Sequence, residues 1–165
     1  MKLVTTIATA ASLLCCVQGT ALSNSPKPRL GFLMWSAFQC ATYAEMAGNK
    51  EIPGNKAEQR RLFQVGYDAG TKFLTGIRNH TISNAEAADS PWQVEMLLGG
   101  PTNDFMIGRI FQSASDDAYD SVVKKDANGE LLAPSAYLSN PVVKATAAWT
   151  KYSRENCQLI QAVRR

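Results

Sequence analysis

Apolar and polar residues alternate across residues 58–77 with the period of an amphipathic α-helix. Apolar or small residues recur three and four positions apart and so share one face, while polar residues occupy the opposite side. The apolar face consists of Leu62, Val65, Gly66, Ala69, Phe73 and Ile77. This pattern predicts a helix over residues 56–78, and we expect the rest of the chain to be organised around it.

Two glycines, Gly66 and Gly70, lie four residues apart within this helix. Each costs about 1 kcal/mol relative to alanine in a helix interior, so the pair indicates that another backbone or a large ring comes close. The spacing favours a tight helix crossing in the core. The alternative is a groove lined by Gly66 and Gly70 that receives a partner.

Helical patterns also cover residues 30–47, 92–98, 102–125 and 142–163, with a further short helix predicted within residues 83–88. Start signals precede three of these segments: Ser90 and Pro91, Thr102, and Asn140 and Pro141. We find no convincing pair of strands and no internal repeat. The sequence therefore predicts an all-α fold, a compact bundle of about five helices.

The first 21 residues have the pattern of a secretory signal peptide. Lys2 precedes an uncharged apolar run over residues 3–17, and the small residues Gly19 and Ala21 favour cleavage after Ala21. The run is shorter than the roughly 20 residues that a transmembrane helix needs. Cys15 and Cys16 follow Leu13 and Leu14, and neither cysteine is preceded by the small residue that a lipidation site requires, which argues against lipidation.

This predicts an exported protein, periplasmic or extracellular, that has no membrane segment once the signal is removed. Residues 22–29 contain two prolines and no periodicity, which predicts an extended lead-in. Residues 30–165 are predicted to form a single helical domain.

Two cysteines, Cys40 and Cys157, remain after removal of the signal peptide. An oxidising compartment favours a disulfide between them, which would join the first and last helices. Free thiols or a redox pair are the alternatives, but the close CxxC spacing of a redox pair is absent.

The formal net charge of the whole chain is +3, and its Lys and Arg residues are scattered among acids rather than grouped. This distribution gives no indication of binding to nucleic acid or to an anionic membrane surface.

The candidate chemistry is sparse. His80 is the only histidine, so the sequence offers neither a usual zinc ligand set nor a Ser-His-Asp arrangement, and we predict no metal and no cofactor. The segment from Asp126 to Glu130 resembles part of a calcium loop, but Gly129 comes too early, and a tight turn explains it better.

Arg109 lies within an otherwise apolar run, so its guanidinium must either form an ion pair within the protein or reach the solvent. A structural ion pair with Asp104, Asp68 or Glu95 is one interpretation, and recognition of a carboxylate or phosphate on a ligand is the other. The same acids are the candidates for acid–base catalysis, although no spacing singles out a pair.

Asn79, His80 and Thr81 match the N-glycosylation sequon, at a point where the second helix should end. The motif has meaning only if the chain passes through a eukaryotic secretory pathway.

These features together favour binding over catalysis. Our first hypothesis is a small exported helical protein that binds a protein partner, such as an inhibitor, an immunity-type protein or an accessory subunit. An enzyme that uses carboxylates and Arg109 on a cell-envelope substrate is the second hypothesis. A carrier with a pocket beside Gly66 and Gly70 is the third.

Overall fold

The computed structural model describes residues 29–52 and 55–161. The predicted signal peptide and residues 22–28 of the predicted lead-in therefore lie outside the described residues. Within the described part the chain is helical, without a β-strand, and the all-α prediction is confirmed.

Six helices follow one another along the described residues, and four of them are long. In order they are α1 (Arg29–Glu51), α2 (Asn55–Arg78), α3 (Asn84–Ala88), α4 (Trp92–Met96), α5 (Asn103–Val123) and α6 (Pro141–Arg154). Single 3-10 turns lie at Pro134–Ala136 and Cys157–Leu159. An isolated antiparallel bridge joins Lys125 to Leu131 after α5.

Three helix starts are fixed by side-chain caps. The hydroxyl of Ser83 accepts from the backbone N–H of Glu86, whose carboxylate accepts from the Ser83 N–H in return. Thr102 caps α5 by accepting from the N–H of Phe105, and Asn140 caps α6 by accepting from the N–H groups of Val142 and Val143, as their sequence signals predicted.

The predicted cap at Ser90 is wrong. Its hydroxyl donates to the carbonyl of Ala87 at 2.7 Å, and α4 begins after Pro91 without a side-chain cap. Ser90 is buried against the first turn of α1, where a Cβ atom at Gly31 would lie 2.6 Å from the Ser90 Cβ. Because Ser90 packs against α1 and bonds to Ala87, its side chain does not cap α4.

Helix α1 forms the centre of the structure, and α2, α5 and α6 all pack against it. One core cluster gathers around Phe38 and Phe73 and includes side chains of α1, α2 and α5. A second cluster surrounds Cys40 and Leu62 and adds side chains of α6. The first cluster uses the N-terminal half of α1 and the second uses its C-terminal half, so both depend on the same central helix.

The apolar face of α2 is the one that its periodicity predicted. Its buried residues are Leu62, Val65, Gly66, Ala69, Gly70, Phe73, Leu74 and Gly76. A Cβ atom at residue 66 would lie 2.5 Å from Cε1 of Phe38, and one at residue 70 would lie 2.6 Å from Sδ of Met34. The two glycines therefore let the side chains of α1 approach the α2 backbone closely.

The last helix is shorter than the predicted range of residues 142–163. Helix α6 ends at Arg154, and Asn156 adopts a left-handed conformation with φ 53°. The chain then turns back, which places Cys157 in a 3-10 turn facing α1 rather than on the helix.

A disulfide joins Cys40 of α1 to Cys157, across 117 positions of the sequence. Both cysteines are almost fully buried, and their Cα atoms lie 5.5 Å apart, in the usual range for a disulfide. The predicted bridge between the first and last helical regions is confirmed.

Among the described residues, no helix combines the length and the apolar character that crossing a membrane would require.

We predict that Gly66→Leu destabilises the fold. The new side chain would overlap the buried ring of Phe38, and overpacking of this kind costs roughly 1 to 3 kcal/mol. The matched control is Gly108→Leu in α5, because a Cβ atom there would meet nothing within 4 Å. The free energies of unfolding, measured in urea, should fall for the first variant and stay equal or rise for the second. If Gly66→Leu and Gly108→Leu had the same free energy of unfolding, that result would contradict tight packing at Gly66.

We also predict that purified chain beginning at Leu22 shows no free thiol when it is denatured without reductant. Two titratable thiols would rule out the disulfide. Closing a loop of this length contributes about 4 to 5 kcal/mol in entropy models, so a Cys40→Ala, Cys157→Ala double variant should be less stable than the unmodified chain without reductant, and the difference should shrink when a reductant opens the bridge.

Candidate functional site

A groove runs between α2 and α5, with α1 beneath it. Its volume is about 220 Å³. The floor is formed by α1 and the walls by α2 and α5, and the lining residues are Ala41, Thr42, Gln59, Arg60, Phe63 and Phe111.

Three phenylalanine rings define the apolar part of the groove. The ring centroid of Phe63 lies 5.1 Å from that of Phe111, and both rings are within 5.7 Å of the buried ring of Phe38. Edge-to-face geometry between Phe111 and the other two rings is favourable for aromatic pairs. Phe63 is nevertheless 37% exposed, so a large apolar ring on α2 faces the open side of the groove.

The polar groups at the groove come from α1 and α2. Thr42 donates a hydrogen bond to Ser115 at 3.0 Å, which satisfies its hydroxyl beneath the floor. Gln59 donates to Glu45 at 2.8 Å. Arg60 is exposed at the rim and takes part in no ion pair among the described residues. Its guanidinium therefore keeps its donors available to a carboxylate from outside.

A hydrogen bond connects α2 to α5 one helical turn beyond Phe63. Tyr67 stacks on the ring of Phe63 with centroids 6.3 Å apart and donates to Oδ1 of Asp104 at 2.7 Å. This bond to the carboxylate raises the pKa of Tyr67. The contact holds the two walls at a fixed separation.

Gly66 and Gly70 lie under the contact between α1 and α2 rather than in the groove. Phe38 covers the first glycine, and Met34 with Ile107 covers the second. The observed positions correspond to the tight helix crossing, the interpretation that the sequence favoured.

Arg109 lies on the exposed side of α5. It donates to the carbonyl of Gly99 at 2.8 Å, and its guanidinium carbon lies 5.7 Å from the centroid of Phe105. None of the ion pairs among the described residues includes Arg109, so the expected pairing with Asp104, Asp68 or Glu95 is replaced by this backbone contact.

The predicted acids are also separated. Asp104 accepts from Tyr67, whereas Asp68 accepts from Gln64 on the exposed side of α2. The structure therefore does not bring Arg109 and two carboxylates together in a buried cleft.

Asn79 of the sequon is exposed in the turn after α2, and His80 follows with φ 55°. The segment from Asp126 to Glu130 is a tight turn in which the Asp126 carboxylate accepts from two backbone N–H groups. No group of three or more potential metal ligands occurs in the described part of the chain.

A second polar cluster, which the sequence analysis missed, ties the C-terminal segment to α2. Glu58 accepts two hydrogen bonds from Arg61 at 2.7 Å and one from Tyr152 at 2.6 Å. Arg61 also donates to the carbonyl of Ile160 at 2.6 Å. The spacing of Glu58 and Arg61 indicates a pair on one helix face, but nothing in the sequence places Tyr152 beside them.

No protein-family model, curated protein or solved structure matches this chain. The functional argument therefore rests on the geometry described above.

The hydrogen bonds around Glu58 predict that the folded state loses stability at both acidic and alkaline pH. Hydrogen bonds from Arg61 lower the pKa of Glu58 below its ordinary value of 4.5. The contribution of Glu58 to the free energy of unfolding is therefore fully present above about pH 4.5 and is lost as the pH falls below that value. Burial and the bond to Glu58 raise the pKa of Tyr152 above its ordinary value of 10.0, so its contribution is lost as the pH rises beyond 10.

Melting temperatures measured from pH 2 to pH 11 by circular dichroism test this directly. Glu58→Gln should flatten the acid decline, and Tyr152→Phe should flatten the alkaline decline. The control Glu95→Gln removes an exposed carboxylate and should retain both declines. A Glu58→Gln profile parallel to that of the unmodified chain would contradict the assignment.

Proposed function

We propose that this chain is an exported protein that acts by binding a partner protein through the groove between α2 and α5. The observation that carries the proposal is the exposed ring of Phe63 above an otherwise well-packed aromatic cluster. Rings that line a partly open apolar pocket are typical of sites where a partner inserts one anchoring side chain.

The size of the groove favours a side chain over a small molecule. Its volume of about 220 Å³ is smaller than the roughly 300 to 1,000 Å³ of sites that bury small ligands and cofactors. A single large apolar side chain from a protein fits this volume better than a carried metabolite. The carrier hypothesis therefore has less support than partner binding.

The positive charge of Arg60 at the rim of the groove indicates which kind of partner residue binds beside it. Arg60 stands beside the apolar opening and makes no ion pair among the described residues. A carboxylate next to the inserted side chain would pair with it in two parallel hydrogen bonds. We therefore propose a partner segment that presents a large apolar side chain beside an acidic residue.

Two features support the exported location. The sequence predicts a signal peptide over residues 1–21. The buried disulfide between Cys40 and Cys157 is of a kind that persists in oxidising compartments.

The test is capture of the partner with matched variants. Tagged chain beginning at Leu22 is incubated with the secreted or periplasmic fraction of its native host, and bound proteins are quantified by mass spectrometry. We expect one stoichiometric partner, with capture reduced at least tenfold for Phe63→Ala, which corresponds to about 1.4 kcal/mol. The control Phe105→Ala removes an exposed ring outside the groove, 49% exposed against 37% for Phe63, and should leave capture unchanged.

A second variant separates a loss of partner binding from a loss of folding. Arg60→Glu alters only an exposed rim charge and should also weaken capture, while circular dichroism remains that of the unmodified chain. Equal capture by all variants would exclude the groove as the site. An unmodified chain that captures no protein would contradict partner binding altogether.

A further inference from the structure

A second groove lies on another part of the molecule, between the end of α5 and α6. Its volume is about 280 Å³. Its lining consists of Ser121, Val122, Lys125, Asp126, Ala127, Leu138, Ala147, Thr150, Lys151 and Arg154. None of these residues lines the groove between α2 and α5.

Three cationic side chains converge on this groove. Lys151 and Arg154 lie three positions apart and so share one face of α6, while Lys125 approaches from the end of α5. Neither Lys151 nor Arg154 takes part in an ion pair among the described residues, and Lys125 has one at 3.5 Å with Asp117. Cations in the last turn of a helix also offset its partial negative charge, but this leaves their hydrogen-bond donors available.

The other polar side chains of the groove already form hydrogen bonds within the protein. The Asp126 carboxylate accepts from the N–H groups of Asn128 and Glu130 at 2.8 and 2.9 Å. The hydroxyl of Ser121 donates to the carbonyl of Ala118, and that of Thr150 donates to the carbonyl of Thr146. The donors left for a ligand are therefore the three cations.

We propose that this groove binds a phosphate group. A free phosphate or phosphomonoester presents at least three strong acceptor oxygens, which matches three cationic side chains, two on α6 and one just after α5, whereas a carboxylate presents two. Apolar side chains of Val122, Leu138 and Ala147 line the same groove. They reduce access of water and so strengthen the attraction between the cations and the anion. The phosphate could belong to a soluble phosphate compound or to a phospholipid whose headgroup is a terminal phosphomonoester, since both offer three terminal oxygens.

The first experiment is a titration of ¹⁵N-labelled chain beginning at Leu22 with inorganic phosphate and with pyrophosphate, at constant ionic strength maintained by sodium chloride. We expect saturable shifts of the amide signals confined to residues 121–127 and 147–154. Lys151→Gln and Arg154→Gln should each weaken binding at least fivefold. Lys144→Gln removes the same charge from α6 outside the groove and should change the affinity less than twofold.

A second experiment separates the two sources of phosphate. The chain is sedimented with vesicles of phosphatidylcholine alone or mixed with phosphatidic acid, whose headgroup is a terminal phosphomonoester. Binding to the mixed vesicles that is lost in Lys151→Gln but kept in Lys144→Gln identifies a headgroup. Saturable binding of free phosphate without vesicle binding identifies a soluble ligand. Shifts that do not saturate, or equal losses in Lys151→Gln and Lys144→Gln, would overturn the proposal.

This inference does not depend on the proposed partner groove. Phe63→Ala should leave the phosphate affinity unchanged, because Phe63 lies on α2 and lines only the other groove. Failure of partner capture and failure of phosphate binding are thus separate results.

Discussion

The ring of Phe38 fills the space that a side chain at residue 66 would occupy, and the rest of the structure depends on this contact. It sets how closely α1 and α2 approach. Because Phe63 and Phe111 pack on the same ring, it also sets the geometry of the groove above. Cys40 follows two residues later on α1, so the position of the disulfide is linked to the same crossing. A binding surface built in this way takes its shape from interior packing.

Residue patterns could predict the elements that depend on local periodicity and on backbone caps. The buried face of α2 and the caps at Thr102 and Asn140 are examples, because each is decided within one or two turns of chain. Ser90 carries an equally good local signal, yet packing against Gly31 redirects it. A contact between residues far apart in sequence has no counterpart in the local pattern.

The same limit applies to the functional surfaces. Phe63 and Tyr67 lie four positions apart beside the apolar face of α2, and the periodicity that defines that face assigns them no role. Their exposure follows from where α5 comes to lie, which periodicity does not determine. Arg109 shows the opposite case: an arginine within an apolar run suggested either an ion pair or a ligand site, and a hydrogen bond to the carbonyl of Gly99 accounts for its position.

The disulfide has a consequence for damage to the chain. Cys40 and Cys157 close a covalent ring that contains α2, α3, α4, α5 and α6. Every residue from Ala127 to Leu131 is exposed, so a protease can reach this segment of the ring. A single cut there would yield two polypeptides that stay attached through the bridge and share one core. In an environment rich in proteases, the molecule could therefore be nicked and still remain a single particle, and only reducing conditions would separate its halves.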